Sequence, residues 1–133
     1  FWDTLERSTR PVIAGHSNSK AVCNVPRNLS DEEFLALVRQ GGGAGINLYP
    51  KFLGLGRNID AVFAHIEHFM SLGGEKSVFL GCDLDGIEEM PRGISGVQDL
   101  GRIYETLLRH NYSEQLVCDI FRNNILKVME KAL

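Results

Sequence analysis

Three short apolar runs recur at a fixed interval and set the rhythm of the whole chain. They are Pro11-Val-Ile-Ala-Gly15, Ala44-Gly-Ile-Asn-Leu-Tyr49 and Ser77-Val-Phe-Leu-Gly81, and their equivalent positions Ile13, Ile46 and Phe79 stand 33 and 33 residues apart. Each reads as a buried strand, and segments of helical spacing follow each one. Ser30-Asp-Glu-Glu33 is a capping box that opens a helix through about Gln40, and Gly41 to Gly43 stop it. A second helix spans about Asn58 to Leu72, with Ile59, Val62, Phe63, Ile66, Phe69 and Met70 on its buried face. Beyond the third strand, a polar loop with Pro91 and Gly93 leads to a helix from about Val97 to His110. Ser113 caps another helix, and a last one runs from about Asn123 to Lys131. This alternation is that of βα units feeding a parallel sheet. The non-alternating strands suit a sheet covered on both faces. Three units are too few to close a barrel, which takes about 250 residues. Two architectures remain: a small open α/β domain, or part of a barrel.

The 133 residues suffice for one domain with a single core, and no linker or low-complexity segment divides them. A net charge of −3 gives no basic footprint for nucleic acid. No apolar run approaches the roughly 20 residues of a membrane span. Phe1-Trp-Asp-Thr4 has neither the basic nor the apolar region of a signal peptide, and the absence of an initial Met marks the chain as trimmed or partial. Cys23, Cys82 and Cys118 are odd in number and lack metal spacing, which points to reduced, buried thiols and a cytoplasmic setting.

Polar groups gather just past the C-terminal end of each strand. His16-Ser-Asn18 follow the first, Tyr49 closes the second, Asp83-x-Asp85-Gly86 follow the third, and Arg27 lies in the loop after the first. In α/β folds that edge is where ligands bind. An imidazole, a guanidinium and a carboxylate pair converging there have the chemistry to hold a metal and an anionic substrate.

Other patterns fail on inspection. Gly41-Gly-Gly-Ala-Gly45 follows a helix and precedes a strand, the reverse of a phosphate loop. Gly54-Leu-Gly56 lacks the third glycine of a dinucleotide fingerprint. His65-Ile-Glu-His68 matches no zinc-peptidase helix motif, and both histidines read as surface or boundary residues. Asp83-x-Asp85-Gly86 has Glu88 and Ile94 where an EF-hand needs Gly and Glu. It also resembles the first motif of haloacid-dehalogenase-type phosphatases, with Asp83 as nucleophile. Ile87 replaces the threonine of that motif, and that family's later lysine and acidic pair have no evident counterpart.

Taken in order, the segments resemble the membrane (renal) dipeptidase family of zinc metallopeptidases over almost the whole chain. The resemblance runs through Pro11-Val-Ile-Ala-Gly-His-Ser-Asn18, Ala21-Val-Cys23, Pro26-Arg-Asn-Leu29, Gly45-Ile-Asn-Leu-Tyr49 and His65-Ile-Glu-His68. It continues with Gly81-Cys-Asp-Leu-Asp-Gly86, Pro91-Arg-Gly93 and Arg122-Asn-Asn-Ile-Leu126. It implies the C-terminal part of a distorted TIM barrel of the amidohydrolase type, residues 1–133 being one segment of a single dipeptidase domain. It further implies hydrolysis of dipeptides at a two-zinc centre. By motif, His16 matches a zinc ligand, Arg27 the arginine that binds the substrate's C-terminal carboxylate, Asp85 the aspartate near the bridging water, and Tyr49 a tyrosine close to the substrate pocket. Gly15, Cys82 and Leu84 depart from the family's usual Ser, Ser and Phe.

The family's other metal ligands precede the matched segment, so the resemblance implies a fragment inactive alone. Its partners would be a dipeptide substrate, the N-terminal part of the same barrel and, through open edges, further copies in a homo-oligomer, with no nucleic acid and no membrane segment. The alternatives from the residues themselves are a non-catalytic α/β binding or structural module and the phosphatase using Asp83.

Overall fold

The computed structural model describes residues 1–133. A short helix α1 (Trp2–Arg7), absent from the expected pattern, precedes the first strand. The ordered elements after it are β1 (Ile13–Ala14), α2 (Asp31–Arg39), β2 (Gly43–Asn47), α3 (Pro50–Leu53), α4 (Ile59–Ser71) and β3 (Val78–Cys82). A 3-10 turn (Val97–Asp99) leads to α5 (Gly101–Arg109) and α6 (Glu114–Cys118), and a π-helical turn (Asp119–Asn123) leads to α7 (Asn124–Ala132). The sheet is parallel throughout, in the order β1-β2-β3.

Local chemistry explains the main boundaries. Ser30 accepts from the Glu33 amide at 3.1 Å while the Glu33 carboxylate accepts from the Ser30 amide at 2.8 Å, a closed capping box on α2. Gly41, at φ 75°, turns the chain out of α2 into β2. The Asn58 side chain caps α4 through the Ala61 amide. Pro50 occupies the first turn of α3, where its missing N–H costs nothing.

Helices cover the sheet face that carries Ala44 and Ile46 of β2, with Leu48 just past it, and Val78 of β3. Phe34 of α2 stacks on Phe69 of α4 at 4.1 Å between ring centroids, and both are fully buried. The alternate residues Gly45, Phe79 and Gly81 lie outside that core cluster, so the expectation of two helix-covered faces holds for one face only. On the other face, a Cβ at Gly45 or Gly81 would overlap the Gly15 carbonyl oxygen. The chain leaving β1 therefore crosses the C-terminal ends of β2 and β3, and only glycine leaves it room.

Several expectations need correction. The first run forms a strand of only two residues, and Ile13 is 43% exposed instead of buried, because β1 is an edge strand paired on one side alone. The helix expected from Val97 starts as an α-helix only at Gly101, after the 3-10 turn. The last two helices are one continuous rod joined by the π turn. His65 is fully buried in α4 and not a surface or boundary residue. Its ring replaces an apolar side chain on the buried stripe because both nitrogens find main-chain partners.

Candidate functional site

A cavity of about 270 Å³ opens at the C-terminal edge of the sheet. Arg27 from the β1–α2 loop, Tyr49 and Phe52 around α3, and Asp83 just past β3 line it together, with Gly86, Ile87 and Glu88 at the rim. The Arg27 guanidinium carbon lies 5.9 Å from the centroid of the Phe52 ring, and Phe52 meets Tyr49 edge to face at 4.9 Å. A cation, an aromatic wall and a carboxylate thus share one small space. Arg27 offers a planar fork of donors suited to a carboxylate, and Asp83 offers an acceptor for a cationic or proton-bearing group.

Three asparagine side chains hold the walls of the cavity in place. Asn18 and Asn47, both fully buried, clasp each other: the Asn47 amide donates to Asn18 Oδ1 at 2.8 Å, and Asn18 Nδ2 donates to the Asn47 carbonyl at 2.9 Å. Asn28, next to Arg27, accepts from the Asn18 amide at 3.3 Å and donates to the carbonyls of Cys23 and Phe52 at 2.8 and 2.9 Å. Asn47 Oδ1 accepts from the Tyr49 amide at 2.7 Å, while Asn47 Nδ2 faces Asp83 Oδ2 at 3.4 Å. No buried side-chain nitrogen or oxygen is left without a partner. A fully satisfied polar network of this kind specifies one arrangement of the loops it joins.

His65 adds a second tie. The Ser19 amide donates to His65 Nδ1 at 3.1 Å, which leaves Nε2 as the protonated nitrogen facing the Leu53 carbonyl at 2.8 Å. The ring thereby links the loop carrying Arg27 to the end of α3. Burial is the main reason its pKa falls to about 4, against the opposing bond to Leu53 and with a smaller push from His68. At the end of β3, burial pushes the Cys82 thiol up to about 11. Cys82 and Asp83 both adopt left-handed backbone, at φ 41° and 67°, beside a register shift between Ile46 and Asn47. Such conformations in residues other than glycine persist where the surroundings over-determine them.

The four residues singled out from the sequence separate into two groups. Arg27 and Tyr49 meet in the cavity. His16 is exposed just past β1, on the chain that crosses the strand ends, and it is not a lining residue. Asp85 is also exposed and outside the lining, whereas Asp83 of the same D-x-D-G turn is inside it. The sequence did not mark Phe52, Asn28 or Asn47 as parts of the site. Phe52 had a usable signal, its i,i+3 spacing from Tyr49 across a Pro-started turn. Asn18 stood among the polar groups past the first strand without a role of its own, and Asn28 and Asn47, single polar residues in loop and strand, had no signal. No group of three or more His, Cys, Asp or Glu side chains is gathered closely enough to hold a metal ion.

Comparison with known proteins places these observations. The family described as membrane dipeptidase (peptidase family M19) matches residues 1–133. An uncharacterized protein of the pqqA 5′ region of Klebsiella pneumoniae is 34% identical over 98% of this chain and 50% of its own length. Dipeptidase 3 of Rattus norvegicus is 31% identical over 96% of this chain and 27% of its own. A metallo peptidase from Rhodobacter sphaeroides, solved with a phosphinate mimic of the dipeptide L-Ala-D-Ala, superposes with a TM-score of 0.91 at 30% identity, covering 98% of this chain and 39% of that one. The solved dipeptidase AC, a metallo peptidase of family M19, gives 0.92 at 29%, covering 98% and 40%. The chain spans half or less of the length of these relatives, and its βα units superpose on part of their TIM-type barrel. The match over every residue removes the phosphatase reading of Asp83. With that match, and with the strand-end residues in the order described, the chain belongs to the membrane dipeptidase family, peptidase family M19.

Proposed function

We propose that this chain is the C-terminal, substrate-binding portion of a dipeptidase barrel, residues 1–133 being one segment of a single domain, and that the complete barrel hydrolyses dipeptides with two zinc ions. The observation that carries the reading is the convergence of Arg27, Tyr49 and Asp83 on one cavity at the C-terminal edge of the sheet. Metal dependence follows from the family of metallopeptidases; zinc is our finer assignment. A zinc ion takes about four ligands; motif order offers His16 as one, and no three His, Cys, Asp or Glu side chains are gathered to hold the ion. The chain by itself does not fit the metal centre, so the metal chemistry belongs to the complete barrel.

The chain's own residues account for holding the substrate. Arg27 grips the C-terminal carboxylate of a dipeptide through paired N–H donors, its planar face steadied on Phe52. Tyr49 and Phe52 form the wall along the substrate's side chain. A carboxylate across the cavity receives the substrate's ammonium group or a proton released during hydrolysis. Motif order assigned this role to Asp85, but the cavity lining supports Asp83, whose neighbour two residues on is exposed outside it.

The chain completed with the N-terminal portion of the barrel tests the reading. It should bind zinc and release amino acids from dipeptides. Asp83→Asn should abolish most turnover and Asp85→Asn should not; the reverse result would restore Asp85 to the role. A completed barrel that takes up no zinc would favour a non-catalytic binding module.

The same proposal puts the protein in the cytoplasm, where three unpaired, half-buried cysteines would remain reduced. It also includes self-association, supported by the exposed apolar side chains of Trp2, Leu126 and Met129. No helix is long and apolar enough to cross a membrane.

A further inference from the structure

The Asp83 carboxylate is held from two sides by residues to which nothing so far assigns a part in the reaction. Its Oδ2 faces Asn47 Nδ2 at 3.4 Å. Asn47 has no freedom to turn its amide away. Its Oδ1 accepts from the Tyr49 amide at 2.7 Å, which leaves the NH2 group as the end that meets Asp83. Its backbone is clasped by Asn18 on both sides, with bonds of 2.8 and 2.9 Å.

The other side of the carboxylate rests on bare main chain. A Cβ at Gly86 would overlap Asp83 Oδ1 and come within 2.9 Å of Cγ, and its three nearest atoms would all belong to the Asp83 carboxylate. The turn is closed by the Gly86 amide donating to the Asp83 carbonyl at 3.0 Å. Gly86 is exposed and is not among the residues of positive φ, so its backbone accepts alanine without strain. Glycine here serves room, not flexibility.

We propose that Asn47 and Gly86 are the positioning residues of Asp83, one directing Oδ2 by a hydrogen bond and the other leaving space for Oδ1. The proposal rests on the reading that Asp83 faces the substrate. It gives a purpose to the left-handed pair Cys82–Asp83, which stands at the strand end where the carboxylate lies against Gly86.

Gly86→Ala is the sharp probe, because the three atoms its added methyl meets first all belong to the Asp83 carboxylate. In the chain completed with the N-terminal portion of the barrel, it should lower kcat by roughly 10- to 100-fold, the loss expected when a reacting group is displaced by about an ångström. KM should stay within about threefold, since Arg27 is untouched. In an Asp83→Asn background the same substitution should cost no further activity. Asn47→Asp keeps the acceptor for the Tyr49 amide and turns the bond to Asp83 into a repulsion, so it should also lower kcat. An unchanged kcat for Gly86→Ala, or an equal loss in the Asp83→Asn background, overturns the proposal.

A second arm needs no turnover. In this chain labelled with nitrogen isotope, the Asn47 side-chain amide resonances should move on Gly86→Ala and on Asp83→Asn. Resonances that stay in place overturn the pairing. Absence of dipeptide hydrolysis in the completed wild-type barrel counts instead against the dipeptidase reading, with the amide resonances still deciding the part played by Asn47 and Gly86.

Discussion

Arg27 comes to the cavity from a loop, yet its position is well determined. Phe52 lies under its guanidinium, and Asn28 beside it is buried and triply bonded. A charge-assisted bond to a carboxylate contributes about 1.5–3 kcal/mol, so Arg27→Ala in the completed barrel should raise KM for dipeptides roughly 10- to 100-fold with kcat less affected. Steady-state kinetics on one dipeptide checks this, and an unchanged KM would count against the carboxylate role. His65 gives a prediction of a different kind. Its folded pKa of about 4 lies below the ordinary value of 6.5, so between those limits the unfolded chain binds more protons than the folded one. Stability from this group is complete above pH 6.5, declines as pH falls toward 4, and changes no further below that. The full difference is on the order of 3 kcal/mol. Urea unfolding of the chain at several pH values should show this slope, and His65→Gln should flatten it. Cys82, with its thiol pushed up to about 11, should react with a thiol reagent at neutral pH more slowly than a free cysteine. At this scale the sequence was partly legible. Arg27 and Tyr49 stood out because charge and aromaticity beside a strand end are conspicuous. Motif order favoured Asp85 over Asp83, whereas Asp83 alone of the two lines the cavity, and no signal in the sequence marked the left-handed backbone of Cys82 and Asp83. His65 was misjudged because hydrophobic periodicity alone says nothing about two carbonyl and amide partners brought from distant loops.

The helices and strands owe their legibility to local chemistry. The capping box at Ser30 and the serine cap at Ser113 are written in a few adjacent residues and form as expected, and the helix expected from about Asn58 starts there, with the Asn58 side chain as its cap. Ser30→Ala should destabilise the chain by about 1 kcal/mol, read as a lower midpoint in urea with unchanged slope. Less legible was whatever depended on neighbours in space. The strand β1 is short and partly exposed because one of its edges has no partner. The rod made of α6, the π turn and α7 is continuous because the chain widens by one residue between Asp119 and Asn123 instead of breaking. Asn124, at the start of α7, then reaches the carbonyls of Glu75 and Val78 at 2.8 and 2.9 Å, pinning the rod to the entrance of β3. A one-turn change of helix type leaves no mark in apolar spacing, so the two halves read as separate helices.

At the scale of the molecule, three parallel strands with helices on one face form a sector of a barrel, with outer edges on β1 and β3. The sector carries the cavity of Arg27, Tyr49 and Asp83 without a set of metal donors. Alone, the chain should therefore show no dipeptide hydrolysis above background with added zinc, whereas mixing or fusing it with the N-terminal portion of the barrel should create activity. Activity from the chain alone would refute the division of labour proposed above. The crossing of the Gly15 peptide over Gly45 and Gly81 bears on how such an enzyme can change. Here the strands pack main chain against main chain, and main chain offers natural variation nothing to enlarge or shrink. Variation in the cavity must then come from its lining, where Phe52, Ile87 and Glu88 present side chains that can be exchanged without moving the strands.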